Sequence, residues 1–244
     1  MTAPAADSYI SARAGRAYWQ GVEADVNGML GGMPAVSKMD LQGSRAFLAK
    51  LGVGRGRAGL RPLTRALEGG AGIGRVTEGL LLSIAETVDV VEPIAKFTDA
   101  LAGKHGVGRV YNIGLEEWDA SVGQGVGDAG GGGGGGDEDV SRVRYDLFWN
   151  QWCLGHLTDD QLVRYLQRCT ARMSDEKSLI VVKENMSTSG RDAYDEVDSS
   201  VTRQDEKFRQ IFEQAGLRIV RTELQRAMPK ELFPVRMYAL RRRQ

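Results

Sequence analysis

Apolar side chains recur along the chain with two different periods, and these periods predict where helices and strands lie. Near the amino terminus, large apolar residues return at near-helical spacing over 7–28, which predicts a first helix. A second helix is predicted over 40–51. Between them, Gly28-Met29-Leu30-Gly31-Gly32 places three glycines around two large apolar residues. Such a segment is typical of a loop that packs closely against a neighbouring surface.

From residue 61 onward, short β-branched or apolar runs alternate with amphipathic segments. Strands are predicted over 61–67, 88–91, 109–113, 145–149, 178–183, 217–224 and 235–240. Helices are predicted over 75–85, 93–101, 158–173 and 202–215. Alternation of strands and helices is typical of a parallel, doubly wound α/β sheet. The last two strands have no helix between them, which predicts an antiparallel finish at one edge.

A glycine-rich segment over 123–139 interrupts this alternation. It holds seven consecutive glycines, Gly130 to Gly136, followed by three acidic residues. A segment of this composition cannot bury apolar surface, so we predict a flexible insert in a surface loop. The whole pattern predicts an N-terminal helical extension over 1–57 and one α/β domain over 58–244.

Composition narrows the function classes without identifying one. Of the 244 residues, 42% are hydrophobic and 26% are charged, as in a soluble globular protein. The 32 basic and 32 acidic residues cancel, so neither nucleic acid nor an anionic membrane is an expected partner. No apolar stretch approaches the roughly 20 residues that a membrane span needs. The amino terminus shows no secretory signal, so we expect the cytoplasm, with the nucleus as a second location.

The two cysteines, Cys153 and Cys169, indicate no metal site. Both lie in apolar surroundings, and neither has a second Cys or a His at metal-ligand spacing. They are predicted to be buried thiols in a reducing compartment.

The strongest chemical signal is the glycine-rich segment 68–75, between a predicted strand and a predicted helix. Glycines let a backbone approach a ligand closely, and the free N–H groups of the following helix favour an anion. The dinucleotide spacing G-x-G-x-x-G fails, since Arg75 occupies the sixth place, and no phosphate-loop motif occurs. The remaining spacing, G-x-G-x-G at Gly70, Gly72 and Gly74, suits S-adenosylmethionine, which carries a carboxylate where a dinucleotide has a pyrophosphate. A tight turn without a ligand is the alternative.

Neighbouring residues complete the predicted cofactor site. Arg75 is placed to pair with the carboxylate, and Glu92, at the end of the next strand, can accept hydrogen bonds from both ribose hydroxyls. Leu115 and Glu116 follow the third strand, where an adenine ring would lie. The residues predicted to contact the cofactor are Gly70, Gly72, Arg75, Glu92, Pro93, Ile94, Leu115, Glu116 and Gln151.

Longer motifs give the chain a family resemblance. They are Tyr18-Trp19, the loop 28–32, Gly70-Ala71-Gly72-Ile73-Gly74-Arg75, Gln151-Trp152-Cys153-Leu154-Gly155-His156-Leu157-Thr158-Asp159, Lys183-Glu184-Asn185-Met186 and Val197-Asp198-Ser199-Ser200-Val201. From about Tyr18 to Arg241 the chain resembles the α-N-terminal (X-Pro-Lys) protein methyltransferases, the methyltransferase-like 11 group. The resemblance implies a class I methyltransferase fold: a Rossmann-like, seven-stranded, mostly parallel sheet with an antiparallel edge strand and an N-terminal helical lid.

The resemblance also implies a reaction, the S-adenosylmethionine-dependent mono-, di- or trimethylation of the α-amino group of proteins that begin X-Pro-Lys after Met removal. Ribosomal and nuclear proteins are the expected targets, and we expect a monomer. An α-amine has a pKa of about 7.7 to 8.0, so it must lose a proton before it attacks. His156 and Asp198 are the candidate bases, and the choice between them stays open. Asn185 can accept a hydrogen bond from the amine, and a merely helix-capping role is the alternative for His156.

The expected peptide contacts surround these groups. Trp152 can stack on the proline and face the methylated cation, with core packing as its alternative role. Asp195, Asp198 and Ser200 suit the substrate lysine, because charge-assisted hydrogen bonds discriminate against a neutral residue. A solvated acidic loop is the alternative for this stretch. The residues expected to contact the substrate are Trp19, Leu30, Gly32, Trp152, Asp195, Ser200 and Phe233.

Other functions stay open at this point. A class I methyltransferase for a small amine or another protein side chain would need the same cofactor residues. A cofactor-binding module without catalysis is a second alternative. The chain departs from the family pattern at Glu68, usually Asp, at Gly69, usually Cys, and at Phe233, often Tyr. A nicotinamide oxidoreductase is the least favoured, because the glycine spacing argues against it.

Overall fold

Among the residues described, the amino-terminal part of the chain contains three α-helices. The computed structural model describes residues 4–119 and 143–243, so the insert predicted over 123–139 lies outside the described residues. The helices are α1 (Ala12–Gly21), α2 (Val26–Met29) and α3 (Val36–Lys50). The helix predicted over 40–51 is confirmed in type and begins earlier than expected.

The continuous helix predicted over 7–28 is wrong in extent. Its central part is α1, which Ser11 caps by accepting the N–H of Ala14 at 3.3 Å. The chain then leaves the helix and starts again at α2, because the carboxylate of Asp25 accepts the N–H of Gly28 at 2.7 Å. Apolar spacing alone did not reveal this second cap.

The remaining chain contains nine strands among the residues described. They are β1 (Leu63–Gly69), β2 (Ala85–Val91), β3 (Val107–Tyr111), β4 (Leu147–Gln151), β5 (Leu179–Asn185), β6 (Ala193–Asp195), β7 (Ser200–Thr202), β8 (Leu217–Leu224) and β9 (Val235–Arg242). Seven of them form one sheet in the order β3-β2-β1-β4-β5-β9-β8, and β6 pairs with β7 in a separate hairpin. The seven-stranded sheet is confirmed, whereas the small hairpin was not predicted.

One edge of the sheet is antiparallel, as the helix-free connection indicated. β9 pairs antiparallel with β5 on one side and with β8 on the other. The outermost strand β8 therefore runs in the same direction as the parallel strands, and the antiparallel strand lies one place in from the edge. The mostly parallel α/β class is confirmed.

Four α-helices alternate with the strands after β1, and each of them is shorter than predicted. They are α4 (Arg75–Gly79), α5 (Ala95–Thr98), α6 (Asp159–Ala171) and α7 (Asp205–Gln214). The helix predicted over 75–85 ends at Gly79, where α3 approaches closely: a Cβ there would lie 2.6 Å from Cδ1 of Leu41. Within the described ranges, no helix is both long enough and apolar enough to cross a membrane.

Both faces of the sheet are covered, and β4 shows how. Phe148 packs into a cluster with Tyr165 of α6 and Phe212 of α7, whereas Trp149 packs on the opposite face with Phe47 of α3. All of these side chains are buried. A strand with helices on both faces needs apolar residues at successive positions, which explains the unbroken apolar run at the start of β4.

The carboxyl ends of four parallel strands meet at one edge of the sheet. Their last residues are Gly69 of β1, Val91 of β2, Gln151 of β4 and Asn185 of β5. The strand order reverses between β1 and β4, since β2 and β3 extend to one side and β4 and β5 to the other. Ligands of open α/β sheets bind at such a point.

Candidate active site

The turn after β1 requires its glycines. Gly70, Gly72 and Gly74 have φ angles of 65°, 54° and 80°, a region that side chains disfavour. A Cβ at Gly70 would lie 2.2 Å from Cβ of Cys153, and a Cβ at Gly72 would lie 2.7 Å from Sδ of Met29. The glycines therefore form a tight turn, the glycine cradle, in which a Cβ at Gly70 or Gly72 would collide with Cys153 or Met29.

Glu92 closes this turn from the end of β2. Its carboxylate accepts the N–H of Gly72 at 2.8 Å through Oε2 and the N–H of Ile94 at 2.9 Å through Oε1. Burial raises the pKa of Glu92, and these two backbone hydrogen bonds oppose the rise. Each carboxylate oxygen has a second lone pair, so the group can still accept hydroxyl donors from a ligand.

A pocket opens above the turn. All of the residues predicted to contact the cofactor line it, namely Gly70, Gly72, Arg75, Glu92, Pro93, Ile94, Leu115, Glu116 and Gln151. The structure thus brings the whole predicted set together, and the individual contacts stay predictions.

Helix α1 covers this pocket. Arg16 donates through Nη2 to Glu116 at 2.7 Å and to Glu117 at 2.9 Å. Lys96 donates to the backbone carbonyl oxygens of Gln20 and Val22, both at 2.6 Å. The predicted helical lid is therefore held against the pocket by contacts that the sequence pattern did not indicate.

Arg75 is held by a partner that the sequence analysis missed. Asp40, on α3, accepts from Nη1 of Arg75 at 2.8 Å and from Nε2 of Gln151 at 2.8 and 2.9 Å. Its Oδ1 lies 2.5 Å from Nζ of Lys183. Burial disfavours the charge of Asp40, but Lys183 and Arg75 outweigh this effect and hold its pKa below the usual value. The guanidinium carbon of Arg75 lies 5.4 Å from the ring centroid of Trp152.

Glu68, where the family usually has Asp, lies in the wall of the same pocket. It is buried and forms a hydrogen bond with the hydroxyl of Thr77. Burial raises its pKa to about 8, against the opposing effects of Thr77 and Arg75. At neutral pH Glu68 is therefore mostly protonated and contributes little negative charge to the site.

A second pocket adjoins the first and contains the predicted catalytic residues. Its polar wall includes His156, Asn185 and Asp198. Its apolar wall comes mainly from Met29, Leu30, Met33, Val36, Phe208, Met228 and Leu232. Trp19, Met29, Trp152 and His156 line both pockets. A ligand in one pocket therefore lies next to a ligand in the other, as a transfer reaction requires.

His156 and Asp198 differ in the hydrogen-bond partners that their acceptor atoms already have. Nε2 of His156 already accepts the indole N–H of Trp19 at 3.0 Å. Burial lowers the pKa of His156, and the charge of Asp198 opposes this shift. Oδ1 of Asp198 is buried and has no hydrogen-bond partner among the residues described. Of the two residues, Asp198 is therefore the one with an acceptor atom free to take a proton from a substrate.

Two buried charged residues hold the turn that carries Trp152 and His156. Oε1 of Glu184 accepts the N–H groups of Cys153 and Leu154, both at 2.9 Å. Arg203 donates through Nη1 to the carbonyl of Leu154 at 3.0 Å and through Nε to Oδ1 of Asp159 at 2.9 Å. Trp152 itself has a φ of 55°, a strained value for a side chain of its size. Neither Glu184 nor Arg203 was predicted to have a role in the site.

The predicted substrate residues divide into two groups. Trp19, Leu30, Trp152 and Ser200 line the second pocket.

Gly32, Asp195 and Phe233 are absent from the walls of both pockets among the described residues. Gly32 lies in an exposed turn, and Phe233 is 42% exposed. Asp195 is exposed, and its carboxylate accepts the N–H of Val197 at 2.8 Å in the β6–β7 turn. It lies opposite Ser200 in the hairpin register, at the rim of the pocket.

The sheet order, the glycine cradle and the acid at the end of β2 define a class I, S-adenosylmethionine-dependent methyltransferase. The family model of AdoMet-dependent proline di-methyltransferases matches residues 7–241. The chain belongs to this family, and the resemblance that its motifs indicated is confirmed.

Relatives and a solved structure agree with this assignment. The alpha N-terminal protein methyltransferase 1 of Schizosaccharomyces pombe is 42% identical, covering 91% of this chain and 92% of the relative. The N-terminal Xaa-Pro-Lys N-methyltransferase 1 of Danio rerio is 38% identical, covering 92% of each chain. A SAM-dependent methyltransferase of Leishmania major has a TM-score of 0.75 and 32% identity, covering 93% of this chain and 81% of its own.

The cofactor is S-adenosylmethionine, as predicted. The residues present fit it. Gly70 and Gly72 line the pocket without side chains, Glu92 keeps free lone pairs for hydroxyl groups, and Arg75 supplies a cation for the carboxylate.

Proposed function

We propose that this chain methylates the α-amino group of proteins that begin X-Pro-Lys after removal of the initiator Met. The observation that carries the proposal is the second pocket, in which Asn185, Asp198 and Ser200 lie beside the cofactor pocket. The relatives from Schizosaccharomyces pombe and Danio rerio carry names that describe this activity, which supports the same conclusion.

The polar wall explains how a protonated amine is made reactive. S-adenosylmethionine supplies a methyl group that its positive sulfur makes electrophilic. At neutral pH most of an α-amine is protonated and has no lone pair for attack. We assign removal of this proton to Asp198, whose Oδ1 is unpartnered among the described residues, and a positioning role to His156, whose Nε2 is engaged by Trp19. Asn185 can accept a second hydrogen bond from the amine.

The remaining walls suit the next two residues of the peptide. Trp152 lines both pockets, so its ring can pack against the substrate proline and lie near the methylated nitrogen. Ser200 offers an oxygen acceptor for the substrate lysine, and Asp195 stands opposite Ser200 at the rim. A small-amine enzyme would have no need for acids at this rim.

Targets, assembly and location are further parts of the proposal. We propose ribosomal and nuclear proteins as targets, a monomer as the active form, and the cytoplasm and nucleus as the places of action. The balanced charge of the chain supports a protein substrate rather than nucleic acid. Light scattering during size-exclusion chromatography tests the monomer, and a dimer would contradict it.

Mass spectrometry of a synthetic peptide tests the reaction. A peptide that begins Ser-Pro-Lys, incubated with the protein and S-adenosylmethionine, should gain mass in steps of one methyl group. The same peptide with an acetylated amino terminus should gain no mass. Replacing the lysine of the unacetylated peptide by alanine should abolish turnover. If the protein binds the cofactor but modifies no such peptide, the proposed substrate is wrong and the fold assignment stands.

A pair of variants tests the assignment of the base. Asp198→Asn keeps the size of the side chain but removes its basicity, so turnover should fall by at least about 100-fold. His156→Gln keeps a hydrogen-bonding group beside Trp19 and should cost less. Rates measured from pH 6 to 9 compare the two. A larger loss in His156→Gln than in Asp198→Asn would reverse the assignment.

A further inference from the structure

Three charged side chains meet inside the molecule behind the cofactor pocket. The side chains of Asp40 and Lys183 are 0% exposed, and that of Arg75 is 9% exposed. Asp40 lies between the two cations, 2.8 Å from Nη1 of Arg75 and 2.5 Å from Nζ of Lys183. Only Arg75 lines the pocket, whereas Asp40 and Lys183 lie behind it.

The ammonium group of Lys183 is surrounded by hydrogen-bond acceptors. Burial lowers the pKa of Lys183, and the carboxylate of Asp40 opposes this shift. Besides the Asp40 carboxylate, its Nζ donates to the backbone carbonyl of Asp40 at 3.1 Å, to Oγ of Ser44 at 2.9 Å and to Oε1 of Gln225 at 2.9 Å. These groups are all acceptors, and an ammonium has three N–H donors to satisfy. The amide of Gln225 is fixed in this orientation, because its Nε2 donates to the carbonyl of Met39 at 3.2 Å.

One carboxylate and two cations leave a surplus of one positive charge in this cluster. Glu68, the other acid that interacts with Arg75, does not cancel it, because burial raises the pKa of Glu68 to about 8. Glu92 is engaged by the backbone N–H groups of Gly72 and Ile94. A surplus charge in a dry place is costly unless a ligand of opposite sign meets it.

We propose that Lys183 is a positioning residue for the cofactor site: by neutralising Asp40, it leaves the charge of Arg75 available to the carboxylate of the cofactor. Without Lys183, the carboxylate of Asp40 neutralises Arg75 and also repels an incoming carboxylate. The Asp40–Lys183 pair then sets how strongly the pocket prefers ligands that carry a carboxylate over those that do not. This inference concerns the cofactor site and does not depend on which protein substrate is methylated.

The experiment compares two ligands that differ only in that carboxylate. Calorimetric titration measures the affinities of S-adenosylhomocysteine and of its decarboxylated analogue, S-adenosyl-3-thiopropylamine. In Lys183→Met the preference for S-adenosylhomocysteine should fall at least tenfold, through loss of affinity for that ligand alone. Lys177→Met removes an exposed lysine outside the pocket and should leave both affinities unchanged.

A double variant separates charge balance from general damage to the site. Asp40→Asn combined with Lys183→Met restores the net charge of plus one on Arg75, so the ligand preference should return to within threefold of wild type. The proposal is wrong if Lys183→Met leaves the ligand preference unchanged or lowers the affinity for both ligands equally. It is also wrong if the double variant does not recover the preference of wild type. If Lys183→Met fails to fold, the double variant decides alone, and a ligand preference more than threefold below wild type overturns the proposal.

Discussion

Replacing Glu184 by Gln should stabilise the protein above neutral pH. Glu184 is 7% exposed, and its Oε1 accepts the N–H groups of Cys153 and Leu154, both at 2.9 Å. The amide oxygen of Gln can accept the same two hydrogen bonds. The substitution therefore removes a buried charge and keeps the contacts that hold the turn before His156.

The size of the effect follows from the shifted proton affinity. Burial raises the pKa of Glu184 from 4.5 to about 7, although its backbone hydrogen bonds oppose the rise. The difference between the pKa values of 4.5 and about 7, converted at 1.36 kcal/mol per pKa unit, corresponds to a free energy of about 3 kcal/mol. Above pH 7 Glu184 is ionised in both the folded and the unfolded protein, so the full free-energy penalty of burying its charge destabilises the folded state. As the pH falls from 7 to 4.5, only the folded state binds the proton, and the cost disappears.

Denaturant unfolding at pH 5 and pH 8 measures this difference. The gain in unfolding free energy of Glu184→Gln over wild type should be about 2.5 kcal/mol larger at pH 8 than at pH 5. Other titrating groups cancel in the comparison of variant with wild type. Glu213→Gln, at a side chain that is 66% exposed, is the control and should show no such dependence. The same gain at both pH values would refute the argument.

Two further results are expected at the pockets. Trp19→Phe removes the N–H that Nε2 of His156 accepts, a bond worth about 1 kcal/mol, and should raise the pKa of His156. NMR titration follows it with His105 as internal reference, and an unmoved or lowered pKa would contradict the expectation. Gly72→Ala should weaken S-adenosylhomocysteine binding at least fivefold, because the Cβ would enter the pocket wall. Gly103→Ala, also at positive φ but in open space, should cost about 1 kcal/mol of stability without changing affinity, and equal affinity losses would refute this reasoning.

The fold was predictable where local pattern reflects burial. β2 and β5 are buried β-branched runs, and strand–helix alternation gave the class of the sheet. The hairpin of β6 and β7 was missed because strands of three residues are too short to show a period. The place of β9 between β5 and β8 depends on which strands pair, and pairing is settled by packing rather than by any local signal.

The residues of the candidate site also divide into those that a local motif predicted and those that it could not predict. Gly70, Gly72 and Glu92 were found because their chemistry requires a fixed local spacing. Asp40 was missed because its partners are distant in the chain: Gln151 is 111 positions away and Lys183 is 143.

Residues carried over from the resemblance alone were placed less well. Gly32, Asp195 and Phe233 lie outside both pockets among the residues described. For Asp195, the position in the family motif identified the neighbourhood but not the direction of the side chain. Asp195 shows the reason, since its carboxylate is turned onto the N–H of Val197 at 2.8 Å.

The four tryptophans of this chain are divided between its interior and its ligand-binding surfaces. Trp118 and Trp149 are 0% exposed and lie in the core, whereas Trp19 and Trp152 line both pockets. Indole fluorescence depends on local polarity and on neighbouring groups, so the first pair gives a constant background while the second responds to whatever enters. Arrival of either ligand can therefore be followed by intrinsic emission, on the unlabelled protein and in real time.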